Sequence, residues 1–323
     1  MPRKCTICYD DEMGNAKRAI LIFHTGALGD FVLTLFVAKA LQRLYPHHEI
    51  IYVSHGSKGQ LASRVLGTGM SDIEGARWHT LHSPVPVLYL PARELLDRAE
   101  RAICFVAGAG DVFAQNLRGL SRELQVDCVT PIPPAEWDRH VTQYYMEQLA
   151  AVLPRTLLEE ALDAIGEEGL RPGAGGSADG SGVILHIGAG ALRKCWAMES
   201  FLSVASELLS AGHEVALMVG EAEMERLPSR VLEQIRGEFR VAAPHDYLEL
   251  MEKLSNTRLL LTGDNGPGHL AGVLGLRVLS LFGPTRAEVW RPLGPRAEVL
   301  QGEDMQSLAV ARVMEKIEAM LTS

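Results

Sequence analysis

Three segments of the chain set glycines and polar side chains directly after a short apolar run, where a loop can hold a reacting molecule. The first is Gly26-Ala27-Leu28-Gly29-Asp30. Gly26 and Gly29 let the backbone come close to a substrate, and Asp30 stands at a helix start. Asp30 reads either as an N-cap, worth about 1 kcal/mol to the helix, or as a carboxylate able to take a proton from a hydroxyl. The second segment runs from Gly188 to Trp196 and carries Arg193 and Lys194 just after its glycines. A planar fork and a mobile point charge suit a phosphate or diphosphate; the plainer alternative is a solvated turn with Trp196 anchored in the core. The third is Thr262-Gly263-Asp264-Asn265-Gly266-Pro267-Gly268-His269. Pro267 fits an early helical position, whose free N–H groups attract anions. Asp264 suits a ribose or sugar hydroxyl, and His269 a phosphate. Phe282-Gly283-Pro284-Thr285 follows, with Thr285 offering a further hydroxyl. The first segment is not the dinucleotide spacing G-x-G-x-x-G, and no P-loop lysine follows it.

These segments need elements to position them. Ala19–Phe23 has the unbroken apolar character of a buried parallel strand, Phe31 to Leu44 the pattern of a helix ended by Tyr45-Pro46, and Glu49–Val53 that of the next strand. Further strands are expected near 85–90, 102–106 and 125–129, and helices over 137–153 and 157–165. Gly173 to Gly182 cannot build a core and reads as a linker. Beyond it the strand–helix rhythm resumes, with strands near 183–187, 214–219, 240–241, 258–262 and 277–282. Helices are expected over 198–210, 223–236, 248–255, 267–274 and 305–321. The expected division is a tail over 1–17, a first domain over 18–165, a linker over 166–182, a second domain over 183–304 and a closing helix over 305–323. That helix is long enough to pack back on the first domain. Two such α/β domains leave a cleft between their carboxyl strand ends.

Composition narrows the partners. The 323 residues exceed the size of most single cores. A net charge of -9 argues against a protein that grips nucleic acid along a groove. The five cysteines show one close pair, Cys5 and Cys8, with no second pair to complete a zinc site; a frayed tail is the reading there. The odd cysteine count, the acidic N-terminus and the lack of a long apolar run point to a cytoplasmic protein, with peripheral contact at a membrane surface left open.

Taken together, the segments resemble the bacterial lipopolysaccharide heptosyltransferases, glycosyltransferase family 9. Members carry a basic residue and Ser-x-x-Gly-Asp after the first strand, Lys-x-Trp opening the second domain, then Asp-x-Gly-Pro-x-His and Phe-Gly-Pro-Thr. Here these are Gly29-Asp30, Lys194-Cys195-Trp196, Asp264 to His269 and Phe282 to Thr285. The resemblance implies a GT-B fold, two Rossmann-like domains facing a central cleft, with the acceptor on the first and the nucleotide-sugar on the second. It implies an inverting, metal-independent transfer of heptose from ADP-heptose to an inner-core saccharide or lipid-linked acceptor, without a cofactor. Asp30 would be the general base and Lys194 would steady the departing diphosphate. Gly188, Arg193, Glu223, Asp264, Gly266, His269 and Thr285 would hold the donor, with Glu221 rivalling Glu223. His24, Gly26 and Gly29 would lie on the acceptor side. Three positions depart from the family pattern: His24 replaces a cation, Gly26 a serine and Cys195 an arginine, for which Arg193 is near enough to compensate. Another nucleotide-sugar donor, an epimerase or hydrolase, and a non-catalytic nucleotide-sugar binder are the alternatives.

Overall fold

A strand with no polar position must be covered on both faces, and Ala19–Phe23 is such a strand, β1, buried at every residue. The structure is a computed structural model and describes residues 17–170, 180–188 and 191–322. The Cys5/Cys8 tail, most of the glycine-rich linker, and Ala189 and Gly190 lie outside the described residues. After β1 come α1 (Leu28–Val32), α2 (Leu35–Leu44), β2 (Glu49–Ser54), α3 (Gly56–Leu66), β3 (Gly69–Asp72), α4 (Leu90–Asp97), β4 (Ala99–Cys104), α5 (Val112–Leu120), β5 (Gln125–Cys128), α6 (Val141–Leu149) and α7 (Arg155–Glu167). The second half holds β6 (Val183–His186), α8 (Met198–Ser210), β7 (Val215–Met218), α9 (Glu221–Arg226), α10 (Ser229–Glu238), β8 (Arg240–Ala242), α11 (Tyr247–Ser255), β9 (Leu259–Gly263), α12 (Gly266–Val273), β10 (Val278–Phe282), α13 (Ala287–Trp290), β11 (Ala297–Gln301) and α14 (Val310–Thr322).

The strands form two sheets, in the orders β3-β2-β1-β4-β5 and β11-β10-β9-β6-β7-β8, and the paired strands within each run parallel. Strand order reverses beside β1 in the first sheet and beside β6 in the second. Open parallel sheets hold ligands at such switch points, beyond the carboxyl ends of the strands. The loops after β1, β6 and β9 are there, and they are the segments that carry Asp30, Lys194 and Asp264.

Alternation along the strands distributes three cores. Ala19, Leu21 and Phe23 face an outer core with Trp78 and Phe113, while Ile20 and Ile22 face a core shared by both halves, which also takes in Ile184, Met218 and Leu260. Val183, Leu185 and Leu261 turn instead to the second sheet's outer core. Across the shared core α1 lies against α12. A Cβ on Gly266 would stand 2.7 Å from Cβ of Leu28, and one on Gly29 would stand 2.9 Å from Cδ2 of His269. These glycines let two helices from different sheets approach more closely than side chains allow. Elsewhere the halves are tied by His140, whose Nε2 lies 3.0 Å from the Arg291 carbonyl, and by Arg286, which donates to the carbonyl of Trp137.

Several expected elements differ. The helix expected over 31–44 is broken at Thr34, whose hydroxyl bonds the Phe31 carbonyl at 2.7 Å. The segment 85–90 is not a strand, because Val87 spends both backbone groups on the Thr80 hydroxyl and Pro91 then opens α4. Pro228 divides the helix expected over 223–236 into α9 and α10. The closing helix packs on the second sheet, not on the first domain: Val313 and Ile317 share the core of Phe201 and Val204, and Arg258 holds the Leu321 carbonyl at 2.6 Å. Just before that helix, Trp196 donates its indole N–H to the Leu308 carbonyl at 3.0 Å, so this side chain is the core anchor of its segment.

The contact between α1 and α12 yields the first prediction. Gly266→Ala forces Leu28 and the helix backbones apart and should destabilise the protein by about 1–3 kcal/mol in urea unfolding. A loss below about 0.5 kcal/mol, the range of surface substitutions, would show that the helices do not pack this closely.

Candidate active site

Asp30 is the third residue of α1, whose N-cap is Ala27 with no side-chain capping bond, so the capping reading of Asp30 does not hold. Its carboxyl is half-buried and its pKa is raised, first by burial and further by the charge of Asp264, while Lys194 and Lys58 oppose the rise. A carboxylate moved toward neutrality yet still flanked by cations is suited to accepting a proton.

The loop before it is shaped by two of the departures. His24 is 1% exposed, its ring packed edge-on to Phe31 with centroids 5.5 Å apart. Burial first, and the nearby Lys58 ammonium second, lower its pKa to about 3. Although it was expected on the acceptor side in place of a cation, His24 is thus neutral and enclosed and supplies no charge there. A Cβ on Gly26 would stand 3.1 Å from His24 Cε1 and 3.6 Å from Asp30 Oδ2, so the imidazole leaves little room for a side chain at 26. The first-half cation that acts on Asp30 is Lys58 in α3, which donates to the Gly26 carbonyl at 2.5 Å. Sequence reasoning missed it, because α3 is too polar to show a clear apolar period.

Facing Asp30 from the second half, Lys194 closes the 3-10 turn Leu192–Lys194 after β6. Its ammonium pairs with Asp264 Oδ2 at 2.6 Å, and the other Asp264 oxygen lies 3.9 Å from His269 Nε2. His269 is 4% exposed, and burial lowers its pKa to about 4 against the opposing pull of Asp264. Asn265, which the sequence did not single out, caps α12 by accepting from the Gly268 N–H and donates to the Gly188 carbonyl at 2.7 Å. Its amide also meets His186 Nδ1 at 3.1 Å. One side chain therefore locks the loop after β6 to the loop after β9.

Glu223 is buried in α9 and accepts the Gly220 N–H at 3.1 Å. Its carboxylate lies over Gly188, where a Cβ would collide with it. Arg226 pairs with Glu223 at 3.0 Å and comes within 4.0 Å of Cys195 Sγ. The cation beside Cys195 is thus Arg226, whereas Arg193 is exposed on the turn. The side chain of Glu221 lies outside what the structure describes. The Thr285 hydroxyl and His269 Nδ1 are buried without a hydrogen-bond partner in the chain. Groups of this kind are normally satisfied by water or ligand.

Asp30, Lys194, Asp264 and His269 therefore meet at one place, with Gly29 and Gly266 at the contact of α1 and α12 and Glu223 against Gly188 in the loop after β6. Among the described residues no group of three or more His, Cys, Asp or Glu is arranged to hold a metal ion, and no helix is long and apolar enough to cross a membrane. One described hollow, about 620 Å³ and lined by Gly182, Val215 and Arg240 among others, opens at the opposite, amino ends of β6, β7 and β8.

The model of glycosyltransferase family 9 (heptosyltransferase) matches residues 158–318, about half of the chain, which takes in Lys194, Asp264 and Thr285 but not Asp30. Lipooligosaccharide heptosyltransferase 2 of Haemophilus influenzae is 25% identical over 113 residues, 33% of this chain and 32% of that protein. The matched stretch thus spans about a third of that relative's length. Among solved structures, the glycosyl transferase family 9 protein from Veillonella parvula superposes with a TM-score of 0.67 at 18% identity, covering 94% of this chain and 97% of that one. E. coli ADP-heptose lps heptosyltransferase II gives 0.68 at 19%, covering 94% and 98%. The E. coli heptosyltransferase WaaC with ADP gives 0.65 at 15%, covering 94% and 99%. At these identities the likeness carries the fold: a GT-B arrangement of two Rossmann-like domains facing a cleft.

Enclosed imidazoles make stability depend on pH, and His24 and His269 are two of them. Their folded pKa values, about 3 for His24 and about 4 for His269, lie below that of an unfolded histidine near 6.5. The unfolded chain therefore binds more protons in between. Stability should be level above about pH 6.5 and fall as pH drops toward 4, by roughly 1.4 kcal/mol per pH unit for each histidine. Urea midpoints at pH 7.5 and pH 5 measure this, and His269→Gln should remove about half of the slope these two residues supply. An unchanged midpoint across that range would contradict their burial.

Proposed function

The chain belongs to glycosyltransferase family 9, and from that premise we propose that it transfers a heptose from ADP-heptose to a saccharide of a lipopolysaccharide inner core, with inversion at the anomeric carbon. The observation that carries the reading is the meeting of the Asp30 carboxylate with the Lys194–Asp264 pair at the switch points of both sheets. Two of the structurally similar proteins are described as an ADP-heptose heptosyltransferase and a heptosyltransferase with ADP, which supports adenine and heptose for the donor.

In this reading the first domain, 18–165, takes the acceptor and the second, 183–304, takes the donor. Asp30 accepts the proton of the acceptor hydroxyl as the oxygen attacks the anomeric carbon. The bond from that carbon to the diphosphate oxygen breaks, and its electron pair leaves with ADP. Lys194 answers the growing negative charge, already oriented by Asp264. Because burial keeps His269 neutral, it binds phosphate as a hydrogen-bond donor and not as an ion. Gly266 offers its N–H at the start of α12, and Thr285 fills its open hydroxyl valence on the donor. Gly188 leaves the space in which Glu223 reaches ribose hydroxyls, with Arg193 at the rim of the diphosphate. Gly26 and Gly29 give the acceptor room beside Asp30, and His24 supports that loop from beneath. The charge balance is met by Lys194 without a metal or cofactor, and the enzyme works in the cytoplasm, touching the inner membrane surface where a lipid-linked acceptor presents itself.

Asp30→Asn keeps the size of the side chain and removes the base. It should lower kcat by about 10²–10⁴-fold while calorimetry still finds ADP binding close to wild type, whereas Lys194→Gln should weaken both. Full transfer by Asp30→Asn would sink the role of the base, and preference for a uridine or guanosine diphosphate over ADP would sink the donor. Release of free heptose or an isomerised donor with no acceptor present would replace the transferase by a hydrolase or epimerase.

A further inference from the structure

We propose that Lys58 is a positioning residue for the transfer: its ammonium pins the Thr25–Gly26 backbone and sets the charge against which Asp30 works. This rests on the reading of Asp30 as the base. Lys58 is the third residue of α3, at the positive end of the helix dipole, where a cation is disfavoured. It is also only 5% exposed, and a buried ammonium costs stability unless its partners compensate. The partners visible are two carbonyls, Gly26 at 2.5 Å and Thr25 at 3.5 Å. Both belong to the loop that leads into α1, and a Cβ on Gly26 would be 3.6 Å from Asp30 Oδ2. The ammonium therefore fixes the stretch of backbone that lies against the carboxylate.

Other charged or titratable groups face Asp30, and each is otherwise placed. Lys194 from the turn after β6 is paired with Asp264 and sits on the second sheet. Asp264 and His269, from the loop after β9 and from α12, bring a like charge and a neutral ring. Tyr145 from α6 donates its hydroxyl to the Pro131 carbonyl at 3.0 Å. His24 is enclosed and neutral. Of the two cations that act on Asp30, Lys58 is thus the one from the same half of the chain. The two act reciprocally: Lys58 lowers the carboxyl pKa against burial, and Asp30 raises that of the ammonium.

The test titrates the Asp30 carboxyl by NMR in the full chain with 13C-labelled aspartate, the signal assigned through Asp30→Asn, alongside pH profiles of kcat/KM. In Lys58→Met the Asp30 midpoint and the acid limb of the profile should both move to higher pH. Activity at pH 6 should fall by up to about tenfold, the effect of a midpoint moved by about one pH unit, and the deficit should shrink toward pH 9, with the donor KM held. Lys58→Arg should restore the midpoint and most of the rate. Should Lys58→Met not fold, Lys58→Gln, which still donates to the carbonyl without a charge, makes the same comparison. An Asp30 midpoint identical in wild type and the uncharged variant, or a loss equal at every pH, would overturn the proposal. Because the titration needs no substrate, a wild type that ignores ADP-heptose would refute the donor reading and still leave Lys58 judged on its own signal.

Discussion

What the cleft can do depends on how closely α1 and α12 approach. Both are short, and each begins at a switch point of its own sheet. With Gly29 facing His269 and Gly266 facing Leu28, the helix starts come together with each glycine against a side chain of the other helix. The apolar residues just behind, Leu28, Phe31, Leu270 and Ala271, then close into one core shared by the halves. A pair of larger residues at 29 and 266 would hold the sheets apart. The Asp30 carboxylate would then no longer feel Lys194 and Asp264 as it does here.

That approach brings charge into a partly dry space, and the charges are arranged to tolerate it. Asp264 is almost enclosed but paired with Lys194; His24 and His269 are enclosed but held neutral. Glu223 is enclosed and paired with Arg226. Burying an unpaired ion would cost several kcal/mol, so each anion has a cation within reach and each imidazole is neutral. The half-buried Asp30 is the exception, since no direct ion pair to it falls among the described salt bridges. Its partner cations act from a distance, and that is the condition under which a carboxylate remains available to a substrate hydroxyl.

Much of this architecture was legible in the chain. Buried parallel strands such as Ala19–Phe23 and Leu259–Gly263 have no polar residue at an interior position other than Thr262, so their ends, and the loops that carry Asp30 and Asp264, stood out. The elements that escaped were those whose pattern is weak. β3 is a half-buried edge strand of sequence Gly-Met-Ser-Asp, and α3 mixes Lys58, Gln60 and Arg64 with only two buried apolar residues, Leu61 and Ala62. Apolar runs also misled: Val85 and Leu90 look like strand residues yet are exposed, and Val87 between them spends its backbone groups on the Thr80 hydroxyl, leaving no ladder to join. Asn265 was passed over for a different reason. Its cap on Gly268 is local, but its bonds to Gly188 and His186 join segments far apart in sequence, and no local spacing announces those.

The departures at 24, 26 and 195 look like losses when read one at a time, and in space each has a neighbour that answers it. An imidazole at 24 is neutral only because it is enclosed, and enclosing it crowds position 26, which is glycine. The carbonyl at 26 in turn accepts from Lys58, a cation entering from another helix. At 195 the thiol leaves a gap in charge beside the loop after β6, and the guanidinium of Arg226 stands there while holding Glu223. Charge at a site is a property of the volume and not of the position in the chain. A cation delivered from α3 or α9 serves the same electrostatic end as one delivered from the loop itself, provided its stem can reach. What changes is the linkage: Lys58 ties the loop after β1 to α3, so the geometry around Asp30 now depends on a helix whose sequence carries no sign of belonging to the site.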